Sequence, residues 1–419
     1  MTLQLIRRFL WVCFFCIVCG QTHAQDQNAW LQAQLNASAD LRHVDYEEMY
    51  VKALQKDMGI DPLIKCLVII DYCRAYGMDS LAIKMADFVL EKANNQQLEK
   101  GIATYLLDMK YRLALLQNRY DEIEQMACYL DRRWQEHDKL MKRASHWHRL
   151  AKEGKDIRPI SIFRSKNTVR LAFEKDSVGH ICFDANVNQV KNRRFILDTG
   201  MMSSTILFRK YARQIGVRLL PDSIKAISAT HPDVVYSMQL GVVDSLRIDG
   251  IKLCNLPVWV SDETEKYDCV GFFGTPDLFR LEYMELSCDS IVFRYPLPEQ
   301  KAEPNFTMNA GMRGERCICL PCTLDGHDSS FIFDTGSNCF LLPRQYAERK
   351  NGFFAEVGGM TMWLEAGMYA HGFAPFTDSR GFWGKPLLWS FERLCINFRD
   401  AHVDYIKKKD VKFTEYLNK

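Results

Sequence analysis

The sequence predicts a multidomain α + β chain, in which an N-terminal all-α domain of helical hairpins precedes an all-β domain of two lobes. Residues 40–150 place apolar residues at helical spacing and contain one proline, Pro62. From about residue 165, short runs of β-branched and aromatic residues alternate with turn residues. This β-rich part also repeats itself, which predicts two similar lobes.

The first 24 residues have the features of an export signal. Arg7 and Arg8 form a positive segment, residues 9–19 are apolar, and residues 22–24 resemble a small-residue cleavage site. An apolar run of 11 residues is too short to span a bilayer. We therefore expect no transmembrane segment after signal removal, and an exported protein that is periplasmic or secreted.

Two further features of the sequence limit location and partners. Acylation of Cys19 would give a lipid-anchored protein, although Val18 stands where a small residue is normally required. The net charge of +2 and the pI near 7.8 provide no basic field for nucleic acid, so we expect no nucleic-acid partner.

The helical domain is expected to span residues 25–160. Within it, residues 72–91 and 111–131 each combine a helix end, a polar turn and a second amphipathic helix. This plan resembles tetratricopeptide-type repeats, and an unrelated helical bundle is the alternative. The resemblance implies that the domain binds a protein partner in a groove. A purely structural brace is the other interpretation.

The internal repeat sets the limits of the two lobes. Residues 181–212 are similar to residues 318–347, and residues 271–295 align with residues 381–405 at a constant offset of 110. The start and the end of the repeated segment are therefore similar in both copies. We predict a first lobe over 165–297 and a second over 305–410.

Each lobe carries the same two short motifs. An apolar strand leads into Asp-Thr-Gly at 198–200 and at 334–336, and an apolar-apolar-Gly follows at 272–274 and at 382–384. This doubled pattern resembles the aspartic proteases, of the retropepsin-like and pepsin-like kind, in a tandem single-chain form. A single Asp-Thr-Gly would be too common to indicate a family.

The resemblance implies a catalytic pair formed by Asp198 and Asp334. Two equivalent lobes packed about a pseudo-two-fold axis bring such residues together, and close carboxyl groups share one proton. The expected activity is that of an exported aspartic endopeptidase that hydrolyses peptide bonds of a peptide or protein substrate, with no metal or cofactor. The alternative is a catalytically weak or inactive module that binds peptides in the same cleft.

The residues around the two aspartates are expected to support their loops. Threonine offers a hydroxyl group to a tight loop, and glycine permits close approach of the facing loop. Because Met201 cannot donate from its side chain as Ser337 can, we expect an uneven pair in which Asp198 holds the proton more often. The predicted support residues are Thr199, Gly200, Thr335, Gly336 and Ser337.

Enzymes of this type close a hairpin over the cleft. Residues 228–241, which include His231 and Tyr236, are the candidate flap, and residues 356–367 are expected to form a shorter hairpin in the second lobe. Cys317, Cys319 and Cys322 are expected in a strand rather than in a zinc site, because no matching second pair with histidines follows.

Overall fold

The computed structural model confirms the predicted fold class, with an all-α N-terminal part followed by a β-rich part. Most of the predicted export signal and His231 lie outside the described residues, and the domain boundaries stay predictions. The structure describes residues 23–39, 44–55, 59–92, 100–227, 235–262, 267–297, 305–309, 316–337, 340–342, 353–357, 360–364, 381–388 and 391–407.

Antiparallel helices form the N-terminal part, and each of α4 to α7 packs against the helix before it. In this part of the described chain, no helix combines the length and apolar character needed to cross a membrane. The helices are α1 (His23–Ala39), α2 (Tyr46–Leu54), α3 (Pro62–Ala75), α4 (Asp79–Lys92), α5 (Lys100–Leu116), α6 (Tyr120–Arg133) and α7 (Asp138–Gly154).

The helix ends follow directly from the sequence. Asp61 caps α3 by accepting hydrogen bonds from the backbone N–H groups of residues 63 and 64, and Pro62 occupies the first turn. The predicted turns after α3 and α5 contain Gly77 (φ 70°) and Asn118 (φ 54°), both in the left-handed region that ends helices. The resulting helical hairpins are consistent with a tetratricopeptide-like arrangement.

The strands of the first lobe form a sheet that closes on itself, because β8 pairs with both β4 and β9. Its strands are β1 (Ser161–Arg164), β3 (Glu174–Lys175), β4 (Ile181–Val187), β5 (Val190–Asp198), β6 (Ile206–Phe208), β7 (Arg218–Ile227), β8 (Val235–Ile248), β9 (Ile251–Ser261) and β10 (Gly271–Gly274). Two short helices, α8 (Arg209–Ile215) and α9 (Thr275–Leu281), follow β6 and β10.

The second lobe repeats this plan with shorter strands and a short helix, α10 (Lys385–Leu388). Its sheet order is β16-β19-β15-β14-β17-β18, with β13 paired to β14. The strands are β13 (Thr307–Asn309), β14 (Arg316–Leu324), β15 (His327–Phe333), β16 (Phe340–Leu341), β17 (Phe353–Val357), β18 (Met360–Leu364) and β19 (Gly381–Trp383).

A third sheet joins the lobes and reveals the pseudo-two-fold axis. In it β11 pairs antiparallel with β20, and Glu285 lies opposite Cys395, its own counterpart in the repeat. Equivalent residues meet in this way only when an axis passes between them. The sheet order is β2-β12-β11-β20-β21, with β2 (Thr168–Ala172), β11 (Tyr283–Ser287), β12 (Ser290–Arg294), β20 (Phe391–Asn397) and β21 (His402–Lys407).

The apolar-apolar-Gly strands lie directly beside the strands that end in aspartate. β10 runs parallel to β5 and antiparallel to β6, and β19 has the same position beside β15 and β16. Gly271 is required here, because a Cβ at this position would lie 1.9 Å from the carbonyl oxygen of Ile206. The loops that carry Asp198 and Asp334 are therefore held by the centre of each sheet.

The helical domain packs against strands β7, β8 and β9 of the first lobe. Its buried core continues into the lobe through one set of apolar side chains, and polar contacts surround them. Asp222 on β7 accepts a hydrogen bond from the Tyr111 hydroxyl group (2.7 Å) and lies 3.1 Å from the His146 imidazole. Arg316 on β14 also pairs with Asp79 at the start of α4. The shared apolar residues are Leu220, Met238, Leu240, Val242 and Trp259.

Replacing Tyr111 with Phe should weaken the contact between the helical domain and the first lobe. Asp222, which is 8% exposed, would lose one of its hydrogen-bond donors. We expect the free energy of unfolding in urea to fall by about 1–2 kcal/mol. Tyr50→Phe is the control, since the structure records no hydrogen bond of the Tyr50 hydroxyl group within the described residues. Equal losses in both variants would contradict this role of Tyr111.

Candidate active site

The structure brings Asp198 and Asp334 together at the interface between the lobes. Asp198 is the last residue of β5, and Asp334 directly follows β15. Each carboxyl group faces the glycine of the opposite loop, and the two groups are close enough to affect each other's pKa. A pair of this kind shares one proton. Both residues are partly exposed, which leaves this pair within reach of a substrate and of water.

Reciprocal hydrogen bonds of two threonines hold the loops together. The hydroxyl group of Thr199 donates to the carbonyl oxygen of Phe333 (2.8 Å) and accepts from the backbone N–H of Thr335 (2.9 Å). The hydroxyl group of Thr335 donates to the carbonyl oxygen of Leu197 (2.7 Å) and accepts from the backbone N–H of Thr199 (3.0 Å). Both threonines are completely buried. The four bonds obey the same pseudo-symmetry as the sheets.

The glycines of the two motifs allow the loops to approach each other. A Cβ at Gly200 would lie 2.3 Å from the carboxyl carbon of Asp334, and one at Gly336 would lie 2.7 Å from that of Asp198. Any larger residue would push the opposite carboxyl group away. The sequence pattern therefore has a steric cause, since each glycine makes room for the aspartate of the other lobe.

Backbone N–H groups bind each aspartate within its own loop. Asp198 accepts from the backbone N–H groups of Gly200 and Met201 through Oδ1, at 3.0 Å each, and Asp334 accepts from that of Gly336 at 2.8 Å. The loss of a side-chain donor at Met201 is thus partly offset by its backbone. Ser337 acts on Asp334 in the same way, because a backbone hydrogen bond from Ser337 favours the ionised form.

The pKa values of both aspartates are raised, but not equally. Burial raises the pKa of Asp198 well above its usual range, and the charge of Asp334 raises it further. Burial also raises the pKa of Asp334, against the backbone N–H groups of Gly336 and Ser337 and the hydrogen bond from Asp198. The two carboxyl groups therefore share one proton at the interface between the lobes, and a preference of that proton for Asp198 stays a prediction of the sequence.

Lys385 is a charged residue near this pair that the sequence reasoning did not identify. It follows the Phe382-Trp383-Gly384 motif, is 3% exposed, and donates its backbone N–H to the carbonyl oxygen of Ser337 (2.9 Å). Its charge lowers the pKa of Asp334. The signal was present in the internal repeat, where Lys385 aligns with the neutral Thr275.

The candidate flap is part of a long hairpin of the first lobe. Strands β7 and β8 pair up to Ile227 and Val235, and the turn between them lies outside the described residues together with His231. Tyr236 lies on β8 opposite Ala226. The structure thus contains the hairpin that the sequence predicts, without describing its end.

The predicted short hairpin of the second lobe forms, but it is not the counterpart of this flap. β17 and β18 pair over Phe353–Val357 and Met360–Leu364. The backbone N–H of Asp325 donates to the carbonyl oxygen of Phe354 (2.8 Å), as that of Asn188 donates to the carbonyl oxygen of Ser245 on β8 (2.7 Å). β17 therefore corresponds to β8 and β18 to β9. The expected short hairpin is present, and its role as a reduced flap stays a prediction.

The described residues contain one group that could hold a metal ion, and it lies away from the lobes. Glu124, Cys128 and His148 meet on helices α6 and α7. Both ring nitrogens of His148 already face carboxylates, at 2.8 Å from Glu124 and 2.6 Å from Asp131, which favours a charged imidazolium. Cys317 and Cys319 lie within β14 as predicted, with their sulfur atoms 3.2 Å apart.

Comparisons with known proteins found a family model and a solved structure that are similar to part of this chain. The family model described as "Aspartyl protease" matches residues 183–275, which contain the first Asp-Thr-Gly. Among solved structures, a retropepsin-like aspartic protease from Rickettsia conorii is 19% identical to this chain, with a TM-score of 0.23; the match covers 32% of this chain and 92% of that one. The comparison with curated proteins found no match. The family match confirms the resemblance to aspartic proteases that the sequence indicates.

Replacing Thr199 with Val should disrupt the contact between the loops. The variant keeps the side-chain shape but leaves the carbonyl oxygen of Phe333 and the backbone N–H of Thr335 without their buried partner. We expect the free energy of unfolding to fall by about 2 kcal/mol or more. Thr199→Ser, which keeps the hydroxyl group, should retain more of the stability. If both variants are equally stable, the hydroxyl group does not hold the lobes together.

The raised pKa of Asp198 should make stability depend on pH. The folded protein binds the proton of Asp198 more tightly than the unfolded chain does. The contribution of Asp198 to stability is therefore largest below about pH 4, and it is lost as the pH rises through the folded pKa. Asp198→Asn should flatten this fall, by about 1.4 kcal/mol for each unit of the raised pKa. Unfolding of the wild type and the variant in urea at several pH values measures this dependence of stability on pH. Asp184→Asn, on an exposed position of β4, should leave the slope unchanged.

Proposed function

We propose that this protein is an exported aspartic endopeptidase in which Asp198 and Asp334 activate a water molecule. The observation that carries the proposal is the close approach of the two carboxyl groups at the junction of two pseudo-symmetric loops, where each faces the glycine of the other loop. A single site that holds an acid and a base side by side is the requirement of this chemistry. Residues 1–24 support the export part of the proposal.

We assign a different role to each aspartate in the ground state, because the pKa of Asp198 is raised further than that of Asp334. Asp334, which carries the negative charge, accepts a proton from the water molecule as the water oxygen attacks the carbonyl carbon of the peptide. Asp198, which carries the proton, donates to the carbonyl oxygen. Collapse of the tetrahedral intermediate breaks the C–N bond, as the proton held by Asp334 passes to the leaving nitrogen. The carboxylate of Asp198 takes back a proton from a hydroxyl group of the intermediate, which restores the initial state of the pair.

The loop hydrogen bonds keep this pair preorganised. The threonine bonds fix the distance between the loops, and the backbone N–H groups of Gly200 and Gly336 fix the orientation of the carboxyl groups. A site that is already ordered before the substrate binds loses less free energy in reaching the transition state. The β7–β8 hairpin is the element we assign to cover the bound peptide.

The helical domain is best supported as a brace for the first lobe. Its core is continuous with apolar residues of β7, β8 and β9, and Tyr111 and His146 both contact Asp222. Binding of a protein partner in a helical groove is a second proposal, which depends on the tetratricopeptide-like arrangement alone.

Cleavage of a mixed peptide library by the purified protein, followed by mass spectrometry between mildly acidic and neutral pH, tests the function. We expect the wild type to cleave, and Asp198→Asn and Asp334→Asn each to lose activity by at least about 100-fold, because either change removes the acid or the base. Asp184→Asn is the matched control and should retain full activity. Peptides that the wild type retains intact would instead support the binding module and contradict the peptidase.

A further inference from the structure

We propose that Lys385 is a positioning residue for the shared proton: its buried ammonium group offsets the charge of the aspartate pair and makes Asp334 the ionised member. This inference rests on the proposed function, because it concerns the same site. It adds a cation to the two carboxyl groups, so that the singly protonated pair and Lys385 together carry no net charge.

The first observation is the placement of the Lys385 side chain. Lys385 is 3% exposed, and its Nζ has no hydrogen-bond partner within the described part of the chain. The chain reaches across to the first lobe, where Nζ lies 4.0 Å from the Cβ position of Gly179. Burial of an ammonium group without hydrogen bonds is unfavourable unless negative charges lie near it.

The second observation concerns which negative charges are available to Lys385. Asp176, Asp334 and Asp198 all act on its ammonium group. Asp176 is one counter-charge, and its hydrogen bonds from the His180 imidazole (2.7 Å) and the His180 backbone N–H (2.8 Å) keep it ionised. Cys182 also faces the ammonium group from β4. The ionised member of the aspartate pair is a second counter-charge, and no other cation of the described residues is recorded to neutralise it.

The third observation is a break in the symmetry of the repeat at this position. Thr275 and Lys385 occupy equivalent sites, and each donates its backbone N–H to the loop of its own aspartate, to Met201 at 3.1 Å and to Ser337 at 2.9 Å. The Thr275 hydroxyl group donates to the carbonyl oxygen of Thr199 (2.7 Å), so that side chain is neutral and turned into its own loop. Only the second lobe places a charge there, on the side of Asp334.

The electrostatics agree with this geometry. Burial lowers the pKa of Lys385 to about 8, against Asp176, Asp334 and Asp198, which raise it. Lys385 is therefore charged below about pH 8, over the range in which the pair holds one proton. Above that pH the ammonium group loses its proton, and the pair loses its counter-charge.

Carboxyl-carbon NMR of the full-length protein with ¹³C-labelled aspartate measures the titration of the pair directly, with Asp198→Asn and Asp334→Asn used for assignment. In Lys385→Met we expect the titration midpoints of the pair to rise by about one pH unit or more, because a nearby cation has been removed. Lys385→Arg should keep the wild-type midpoints. Unchanged midpoints in a folded Lys385→Met variant would overturn the proposal.

Asp176→Asn separates this role from a purely structural ion pair between Lys385 and Asp176. Asp176→Asn removes an anion, so the titration midpoints of Asp198 and Asp334 should be unchanged or lower than in the wild type. Lys385→Met should raise the same midpoints. An equal upward movement in both variants would mean that Lys385 acts only through the packing of the β3–β4 turn.

A reciprocal measurement leaves Lys385 in place and does not depend on the folding of its variants. In protein with ¹³C-labelled lysine, the Lys385 side chain should titrate near pH 8, and Asp334→Asn should lower that midpoint, since coupling between two sites acts in both directions. A midpoint that is the same in both proteins contradicts the proposal. These titrations need no cleavage. If no peptide is cleaved, the proposed function fails while the inference on Lys385 is still decided.

Discussion

The reciprocal hydrogen bonds between Thr199 and Thr335 are the constraint on which the rest of the site depends. Two carboxyl groups repel each other when both are ionised, so the aspartates do not attract the lobes to one another. The buried threonine hydroxyl groups do this instead, because each binds a backbone carbonyl group and a backbone N–H of the opposite lobe. At that separation the backbones of Gly200 and Gly336 touch the carboxyl groups of the other lobe. Proximity of the aspartates is therefore imposed by packing, and burial in that packed interface raises the pKa values of both.

A symmetric backbone supports an asymmetric charge distribution. The duplication reproduces the strands, the loops and the threonine bonds in both lobes, down to the pairing of Glu285 with Cys395. The catalytic proposal needs the opposite property, since one carboxyl group must be an acid and the other a base. Differences at equivalent positions supply it. Lys385 replaces Thr275 at an equivalent position, and its charge lowers the pKa of Asp334.

The sequence could predict those parts of the structure that arise from local chemistry or from the repeat. The doubled Asp-Thr-Gly predicts that the aspartates meet, and the turns at Gly77 and Asn118 are visible as breaks between helical patterns. Lys385 could not be assigned in this way, because a lysine in a short turn is normally solvated, and its burial depends on Gly179 in the other lobe. The glycines of the β17–β18 hairpin predict that a hairpin forms there. Which strands of the first lobe it corresponds to depends on the long-range hydrogen bond between Asp325 and Phe354, which cannot be predicted from residue types.

The same limitation applies to the contact between the helical domain and the β7–β8 hairpin, and this contact determines how the site can move. Alternating strands such as β7 and β8 are compatible with one solvated face. In the structure Leu220, Met238 and Leu240 instead belong to the helical core, and Ile224 and Ala226 pack against it further along β7. A hairpin that is packed over most of one strand can bend only beyond its last contact. The base of the hairpin is held by Tyr111 and His146 through Asp222. The helical domain and the first lobe therefore share one packed core, which the repeat of the two lobes does not reveal.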